Sequence, residues 1–381
     1  MPKTRDRDVA VLVGNGLSIA FNEKLLLSNI TRQVRRRISN SGDGGENVAQ
    51  AMRELADATL PSGETSDNDF ERLVGAFGAE HRSLSHLQSL AKLSYPKDRE
   101  LAKSIEQVID FARELRNVGT GHVLEVVYDN SRSSYIESEP LDDLLRAVYH
   151  SFSGRITFGN LNYDTILLAA LLNVGTRRVA DLGHGWKSRR TKLGSEGVPA
   201  MLLREGASDF PTLAQYPVRL LHLHGSLTYW ATKDGSQFGK LDRYEVKGNQ
   251  LFKKLRRGTT DLRPLVVLNR ERQKIEDVQA HPFKLAYEVF GKGLTRSKHW
   301  LVIGYSFRDV AVNDLLSREF RSREEKPKIL VVTHGRSPSA EEIEAALGWG
   351  AEDASSRDWL RRNPRGAFGM QDHSSWCWFT S

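Results

Sequence analysis

The chain has 381 residues, a hydrophobic share of 39%, a formal net charge of +7 and a sequence pI near 9.4. This length suits one large domain or two ordinary ones, and no apolar run approaches the roughly 20 residues that cross a bilayer. The only cysteine, Cys377, excludes an intrachain disulfide and a zinc site built from several thiolates, and we predict no metal site. The N-terminal residues lack the apolar region of a signal peptide, so we expect a cytoplasmic protein without membrane contact.

Basic residues are grouped at three places in the chain. The groups are Arg35–Arg37, Lys187 with Arg189 and Arg190, and Lys253–Lys254 with Arg256 and Arg257. Solvated helix faces and loops are one interpretation. An anionic ligand or a nucleic-acid-associated partner is the other.

The first predicted element is a strand at Val9–Val13, whose five small apolar residues suit a buried parallel strand. Gly14 and Gly16 allow a sharp turn, and Ser18 lies where a helix would begin, so this turn could hold a phosphate. The match to the dinucleotide fingerprint is partial, because Ile19 replaces the third glycine and no acidic strand end follows about 20 residues later. An ordinary tight turn is the alternative interpretation.

Helical patterns follow the first strand and predict a helical insertion over residues 24–153. Helices are expected near 98–116, 119–129 and 141–152, with Pro140 at the start of the last one. Strand patterns then occur at 155–158, 218–223, 265–268, 299–304 and 329–333, with helices at 164–173, 282–295 and 309–321 between them. The polar stretch 184–215 is interpreted as a surface insertion.

Strands that alternate with helices predict an α/β fold. We expect a Rossmann-like parallel sheet flanked by helices, with the large helical insertion after the first strand. Residues 1–334 would form this domain, and residues 335–381 a small C-terminal α appendage. Trp376 and Trp378 in the appendage are expected to pack against the domain or a partner.

Polar loops follow several predicted strands. Asn160–Asp164 follows the second strand, His224–Ser226 the third, and Gly304–Asp309 an apolar strand near residue 300. Ligands of parallel α/β sheets bind outside the carboxyl ends of the strands, so these loops and the glycine turn should share one crevice. Helix capping is the simpler interpretation for Asn162, Asp164 and Asp309.

A histidine at one of these strand ends is the candidate general base. His222 and His224 alternate along the strand and would point to the same face, where a buried structural histidine is the usual explanation. His224 differs because Gly225 follows it and would leave room for a ligand. Imidazole titrates near neutrality and can accept a proton.

Taken in order, GNGLS, NLNYD, LHGS and IGYSFRD resemble the sirtuin superfamily, and in particular the sirtuin-like NAD-hydrolase domains of bacterial anti-phage defence systems. The resemblance covers most of residues 9–334. It implies that Asn162 and Asp164 lie beside the nicotinamide ribose and that His224 is catalytic. It also implies an NAD-binding set of Gly14, Asn15, Gly16, Ser18, Gly225, Gly304 and Ser306, the last two beside the adenosine.

The chain departs from sirtuin deacylases, which usually carry a four-cysteine zinc module that one cysteine cannot build. Asn160 also stands where related sequences often have threonine. The resemblance therefore implies an NAD glycohydrolase, with NAD+ as substrate rather than cofactor. The N-glycosidic bond to nicotinamide would be broken, with Asn162 orienting ribose or water, His224 accepting a proton and Asp164 orienting the nicotinamide amide or offsetting positive charge.

The resemblance also implies a biological setting. The chain would be an effector of abortive infection, a homo-oligomer gated by assembly or by a partner, and a HerA-like hexameric ATPase is the candidate partner. The alternative from another class is a non-catalytic NAD or ADP-ribose sensor or scaffold subunit in a complex with a DNA-translocating ATPase. A nuclease has little support, because the sequence shows no convincing carboxylate cluster for metal binding.

Overall fold

The computed structural model describes residues 7–41, 45–58, 70–94, 99–132, 139–175, 177–185, 187–268, 271–350, 353 and 355–381. The strands are β1 (Val9–Val13), β2 (Ile156–Asn160), β3 (Val179–Ala180), β4 (Arg190–Leu193), β5 (Val198–Leu202), β6 (Val218–His222), β7 (Gly225–Thr232), β8 (Phe238–Lys240), β9 (Leu262–Val266), β10 (His299–Ile303), β11 (Lys328–Val332) and β12 (Leu360–Asn363). The helices are α1 (Asn15–Phe21), α2 (Leu27–Ser39), α3 (Gly45–Ala58), α4 (Phe70–Ser94), α5 (Arg99–Arg132), α6 (Glu139–Ser151), α7 (Ile166–Val174), α8 (Arg243–Gly248), α9 (Leu251–Arg256), α10 (Glu271–Asp277), α11 (Phe283–Arg296), α12 (Val310–Arg321), α13 (Ala340–Ala346) and α14 (Ser374–Thr380).

The main sheet has seven strands in the order β12-β11-β10-β1-β2-β6-β3. All of its pairings are parallel. Helices cover it on both faces, so the predicted Rossmann-like α/β fold is confirmed. The strand order reverses beside β1, because the chain first builds outward through β2 and later returns to β10 on the other side. Such a switch point is where open α/β sheets bind ligands.

Strand β1 explains how the sheet is held between two layers. All five of its residues are buried, and alternate side chains point to opposite faces. Val11 and its odd-numbered neighbours pack with the helices of the insertion and with α7. Ala10 and Leu12 pack with α11 and α12. A strand buried on both faces needs a continuous apolar run, which is the pattern that predicted it.

The helices α2 to α6 lie between β1 and β2, as the predicted helical insertion requires. The prediction of separate helices at 98–116 and 119–129 is wrong, because α5 runs through both without a break. Gly119 and Gly121 lie inside it at close helix contacts. A Cβ on Gly119 would lie 3.0 Å from Val74 of α4, and one on Gly121 2.8 Å from Arg256 of α9.

A second sheet is antiparallel and has the order β4-β5-β8-β7-β9. Residues 265–268 were expected to form a strand of the parallel sheet, and this is wrong. The strand ends at Val266 and pairs antiparallel with β7. The stretch 184–215, interpreted as a surface insertion, supplies β4 and β5 to the same sheet. Periodicity alone does not distinguish the partner of a short apolar strand.

The C-terminal residues also differ from the prediction of an α appendage over 335–381. They contribute β12, which pairs parallel with β11 and forms one edge of the main sheet. The prediction that the tryptophans pack is confirmed for Trp376, which is buried against Phe379. Trp378 is half-buried beneath the guanidinium of Arg361. Among the described residues, no helix combines the length and apolar character needed to cross a membrane.

Candidate functional site

The loops after β1 and β10 meet at the switch point, and glycine makes their contact possible. Gly14 donates to the carbonyl oxygen of Ile303 at 2.9 Å, and Gly16 donates to that of Gly304 at 3.0 Å. Gly304 has a φ of +63°, and a Cβ on it would lie 2.5 Å from the backbone of Gly16. The glycines predicted to approach a ligand are therefore required first for the approach of one loop to another.

A buried chain of hydrogen bonds joins this glycine turn to the loop after β2. The amide nitrogen Nδ2 of Asn162 donates to Ser18 Oγ at 2.8 Å and to the Gly14 carbonyl oxygen at 3.1 Å. Ser18 Oγ in turn donates to Asp164 Oδ2 at 2.7 Å. The structure thus brings Ser18 together with Asn162 and Asp164, which lie 144 and 146 residues further along the chain.

Asp164 is both part of this chain and part of a helix start. Its Oδ1 accepts from the backbone N–H of Ile166, the first residue of α7, at 2.9 Å. One carboxylate oxygen of Asp164 therefore satisfies a free N–H at the start of α7, although the N-cap position itself is occupied by Thr165. Burial raises the pKa of Asp164, and the hydrogen bond from Ser18 offsets this in part.

Asn160 fixes the backbone of Asn162. Its Oδ1 accepts from the Asn162 N–H at 3.2 Å and its Nδ2 donates to the Asn162 carbonyl oxygen at 3.3 Å. The same Nδ2 lies 3.4 Å from Nδ1 of His222. Asn160 therefore links the loop after β2 directly to a buried histidine. Burial lowers the pKa of His222 to about 4, so it is neutral.

His224 has a different environment from His222, contrary to the expectation of one shared face. Strand β6 ends at His222, and His224 lies in the turn that follows. Its Nε2 lies 3.4 Å from Asp309 Oδ2 without a hydrogen bond, and its side chain is 5% exposed. Burial, and then the charge of Lys274, lowers the pKa of His224, so its imidazole is neutral near pH 7.

Gly225 does not mainly make room for the imidazole. Its φ is +85°, and a Cβ there would lie 1.9 Å from the carbonyl oxygen of Leu265 in β9. Asp309 caps α12 by accepting from the Val312 N–H at 3.1 Å, which leaves Oδ2 to face His224. The capping interpretation of Asp309 is therefore confirmed, and its second carboxylate oxygen faces His224.

Two charged side chains that sequence reasoning missed lie beside His224. Lys274 of α10 places Nζ 3.2 Å from Asp309 Oδ2 and 2.8 Å from Glu71 Oε2. The hydroxyl of Tyr163, between Asn162 and Asp164 in the chain, lies 2.7 Å from Glu71 Oε1. In the sequence, Glu71 is one of many charged residues of the helical insertion, and nothing there marks its partners.

The charges of this cluster stabilise one another. Burial raises the pKa of Glu71 and of Asp309, but Lys274 and His224 outweigh burial and bring both below their ordinary values. Burial likewise lowers the pKa of Lys274, and the two carboxylates outweigh it and raise the value. Near pH 7 the cluster therefore holds two carboxylates, one ammonium and a neutral imidazole.

Two predicted residues, Asn15 and Ser306, lie at the margin of this arrangement. The side chain of Asn15 donates to the Leu25 carbonyl oxygen at 3.3 Å, toward the insertion. Ser306 is exposed in the loop after β10. That loop is held by Asn313, which donates to the carbonyl oxygen of Phe307, a residue with a φ of +55°. Non-glycine residues rarely adopt such a φ, so the loop is held under local strain.

No model of a known protein family matches the chain, and no curated protein matches it significantly.

Proposed function

We propose that the chain is an NAD+ glycohydrolase of sirtuin-like type. The observation that carries the proposal is the meeting of three loops at the switch point, where Asn162 is hydrogen-bonded to the glycine turn. His224, whose Nε2 lies 3.4 Å from Asp309 Oδ2, is in the turn after β6, the strand adjacent to β2. NAD+ would lie across the turn, with Gly14 to Ser18 beside the pyrophosphate and Gly304 to Ser306 beside the adenosine.

In the proposed reaction, the bond between C1′ of the ribose and the nicotinamide nitrogen breaks, and its electron pair goes to nicotinamide. The leaving group is cationic before departure, so it needs no general acid, unlike an ordinary glycoside. Water adds to C1′ and gives its proton to neutral His224, which Asp309 orients. The products are nicotinamide, ADP-ribose and a proton. If a ribose hydroxyl attacks instead of water, a cyclic product forms.

Asn162 and Asp164 have secondary roles in this proposal. The Asn162 amide would position the ribose or the attacking water, and Ser18 and Asn160 hold that amide in place. Asp164 has both carboxylate oxygens occupied by protein donors. Its contribution is therefore to fix Ser18 and, through it, Asn162, or to offset positive charge at the reacting ribose.

The test is release of nicotinamide from NAD+ by the purified chain, measured by chromatography. We expect His224→Ala and Asn162→Ala to lose activity by orders of magnitude. His150→Ala, which removes an exposed histidine of α6, is the matched control and should keep it. Undiminished turnover in His224→Ala would contradict the assignment of the base.

A second candidate is a sensor or scaffold that binds NAD+ or ADP-ribose without cleaving it. One observation favours it: Asn162, Asp164 and His224 are all buried, so cleavage requires the site to open. Binding of NAD+ without nicotinamide release, alone and with partners added, would support this alternative.

For the biological setting we propose a cytoplasmic effector of anti-phage defence. It would act as a homo-oligomer, gated by assembly or by a partner such as a HerA-like ATPase. Basic groups such as Arg35–Arg37 would serve contacts with a partner or nucleic acid. Salt dependence of DNA binding tests the nucleic-acid part of the proposal.

A further inference from the structure

Three segments that are distant in sequence place opposite charges at His224. Glu71 lies in the first turn of α4, Lys274 in α10 and Asp309 just before α12. The ammonium of Lys274 is shared by the two carboxylates, at 2.8 and 3.2 Å. The Asp309 oxygen that receives it is also the one that lies 3.4 Å from His224 Nε2. Lys274 and the proposed base therefore share one carboxylate oxygen of Asp309 as their neighbour.

The charge of the cluster shows what could replace this lysine. Two carboxylates, one ammonium and a neutral imidazole give a local charge of −1. If Lys274 left alone, two partly desolvated carboxylates would remain without their cation, which is strongly unfavourable. If a monocation entered as the ammonium left, the local charge would stay at −1. The pyridinium ring of NAD+ carries that charge, whereas the dihydropyridine ring of NADH is neutral.

Lys274 is carried by a short helix, α10, whose only apolar side chain, that of Ile275, is 38% exposed. Val278, the residue after the helix, is buried and donates its N–H to the carbonyl oxygen of Lys274 at 3.0 Å. The backbone at this end of the helix is therefore anchored, and withdrawal of Lys274 from the two carboxylates requires movement of its side chain.

We propose that Lys274 is an internal stand-in for the cationic nicotinamide ring. It closes the site by pairing with Glu71 and Asp309, and an oxidised nicotinamide displaces it. The inference rests on the proposed function for the identity of the ligand. It assigns the two carboxylates as the group that selects NAD+ over NADH, and it assigns the side chain of Lys274 as the group that must move.

The first test does not depend on catalysis. The rate at which diethyl pyrocarbonate modifies His224 is measured by peptide mass spectrometry in the native chain, Lys274→Gln and Lys274→Gln/Glu71→Gln. The double variant removes one positive and one negative charge, so the local charge stays at −1 and no second carboxylate is left buried without a cation to destabilise the fold. Lys274→Arg and Lys292→Gln, an exposed lysine paired with Glu288, are the controls.

We expect His224 to be modified at least tenfold faster in the two Lys274→Gln variants and at the native rate in both controls. Buried His222 serves as the internal reference and should stay protected throughout. An unchanged rate at His224, or an equal rise at His222, overturns the proposal.

The second test is calorimetric binding of NAD+ and NADH to the same variants. We expect the affinity for NAD+ to rise at least tenfold in Lys274→Gln, with little change for NADH. Equal gains for both ligands, or no gain, overturn the assignment of Lys274 as a cation stand-in. If His224 becomes accessible and NAD+ binds more tightly but no nicotinamide is released, the glycohydrolase proposal fails while the role of Lys274 stands.

Discussion

The contact between the loops after β1 and β10 makes a strong prediction for Gly304→Ala. The substitution places a Cβ at a φ of +63° and 2.5 Å from the backbone of Gly16 and Leu17. Neither atom belongs to a flexible side chain, so the two loops must move apart. That movement lengthens the hydrogen bond from Gly16 to the Gly304 carbonyl oxygen, now 3.0 Å.

Gly258→Ala is the control that separates the free-energy cost of the backbone conformation from the cost of the steric contact. Its φ is +66°, and a Cβ there would meet nothing within 4 Å. Gly258→Ala should therefore lose only the left-handed penalty, about 1–2 kcal/mol of unfolding free energy. Gly304→Ala should lose that amount plus about 1–3 kcal/mol for forcing an extra carbon into a packed site.

The assay is urea unfolding of both variants, followed by circular dichroism, with NAD+ binding by calorimetry as a second measurement. We expect Gly304→Ala to be the less stable variant by at least about 1 kcal/mol and to bind NAD+ more weakly than Gly258→Ala. If the two variants lose equal stability, the loops do not need glycine for their approach, and the account of the switch point given above is wrong.

Ser18→Ala removes the hydroxyl that pairs with the Asn162 amide and the Asp164 carboxylate, so we expect the free energy of unfolding, measured in urea, to fall by about 1–3 kcal/mol. The control Ser322→Ala, at an exposed serine, should lower it by less than about 0.5 kcal/mol. His222 has a pKa of about 4 in the folded chain, below its value of about 6.5 in the unfolded chain, so it contributes about 3 kcal/mol to the free energy of unfolding above pH 6.5 and loses this contribution as the pH falls to about 4. His222→Gln should therefore reduce the dependence of the unfolding free energy on pH between 6.5 and 4. An unchanged dependence in the variant refutes this prediction. Because burial lowers the pKa of His224 and the base must be neutral, nicotinamide release should persist below pH 6.5 and fall only as the pH drops through the lowered pKa; a midpoint at or above 6.5 contradicts this.

Much of the main sheet could be predicted from the sequence. The apolar run at Val9–Val13 and the strands near 156, 218, 299 and 328 have the patterns that buried parallel strands require. The errors arise where distant contacts override a local signal. Glycine favours a break in α5, yet Gly119 lies inside the helix at a close contact, where a Cβ would come within 3.0 Å of the Val74 side chain of α4. The segment at 360–363 has no strong strand pattern and becomes a strand because the edge of β11 is open to it.

The residues of the candidate site also fall into two groups, those that the sequence predicts and those that it does not. Gly14, Asn162, Asp164 and Gly304 could be proposed because glycines and short polar residues directly follow apolar strands, and parallel strand ends lie at one edge. Lys274 and Glu71 could not, because they are 203 residues apart and each occurs in an ordinary charged helical stretch. Nothing local distinguishes a solvated lysine from a buried one.

The sequence by itself determined the strands, the glycine turns and the edge at which polar loops gather, because these depend on side-chain periodicity and backbone freedom within a few residues. Only the tertiary structure decided how the polar groups are paired. It holds Asn162 through Ser18, separates His222 from His224, and closes Lys274 over Asp309. Those pairings depend on distances between segments and on burial, which set the charge states of the site.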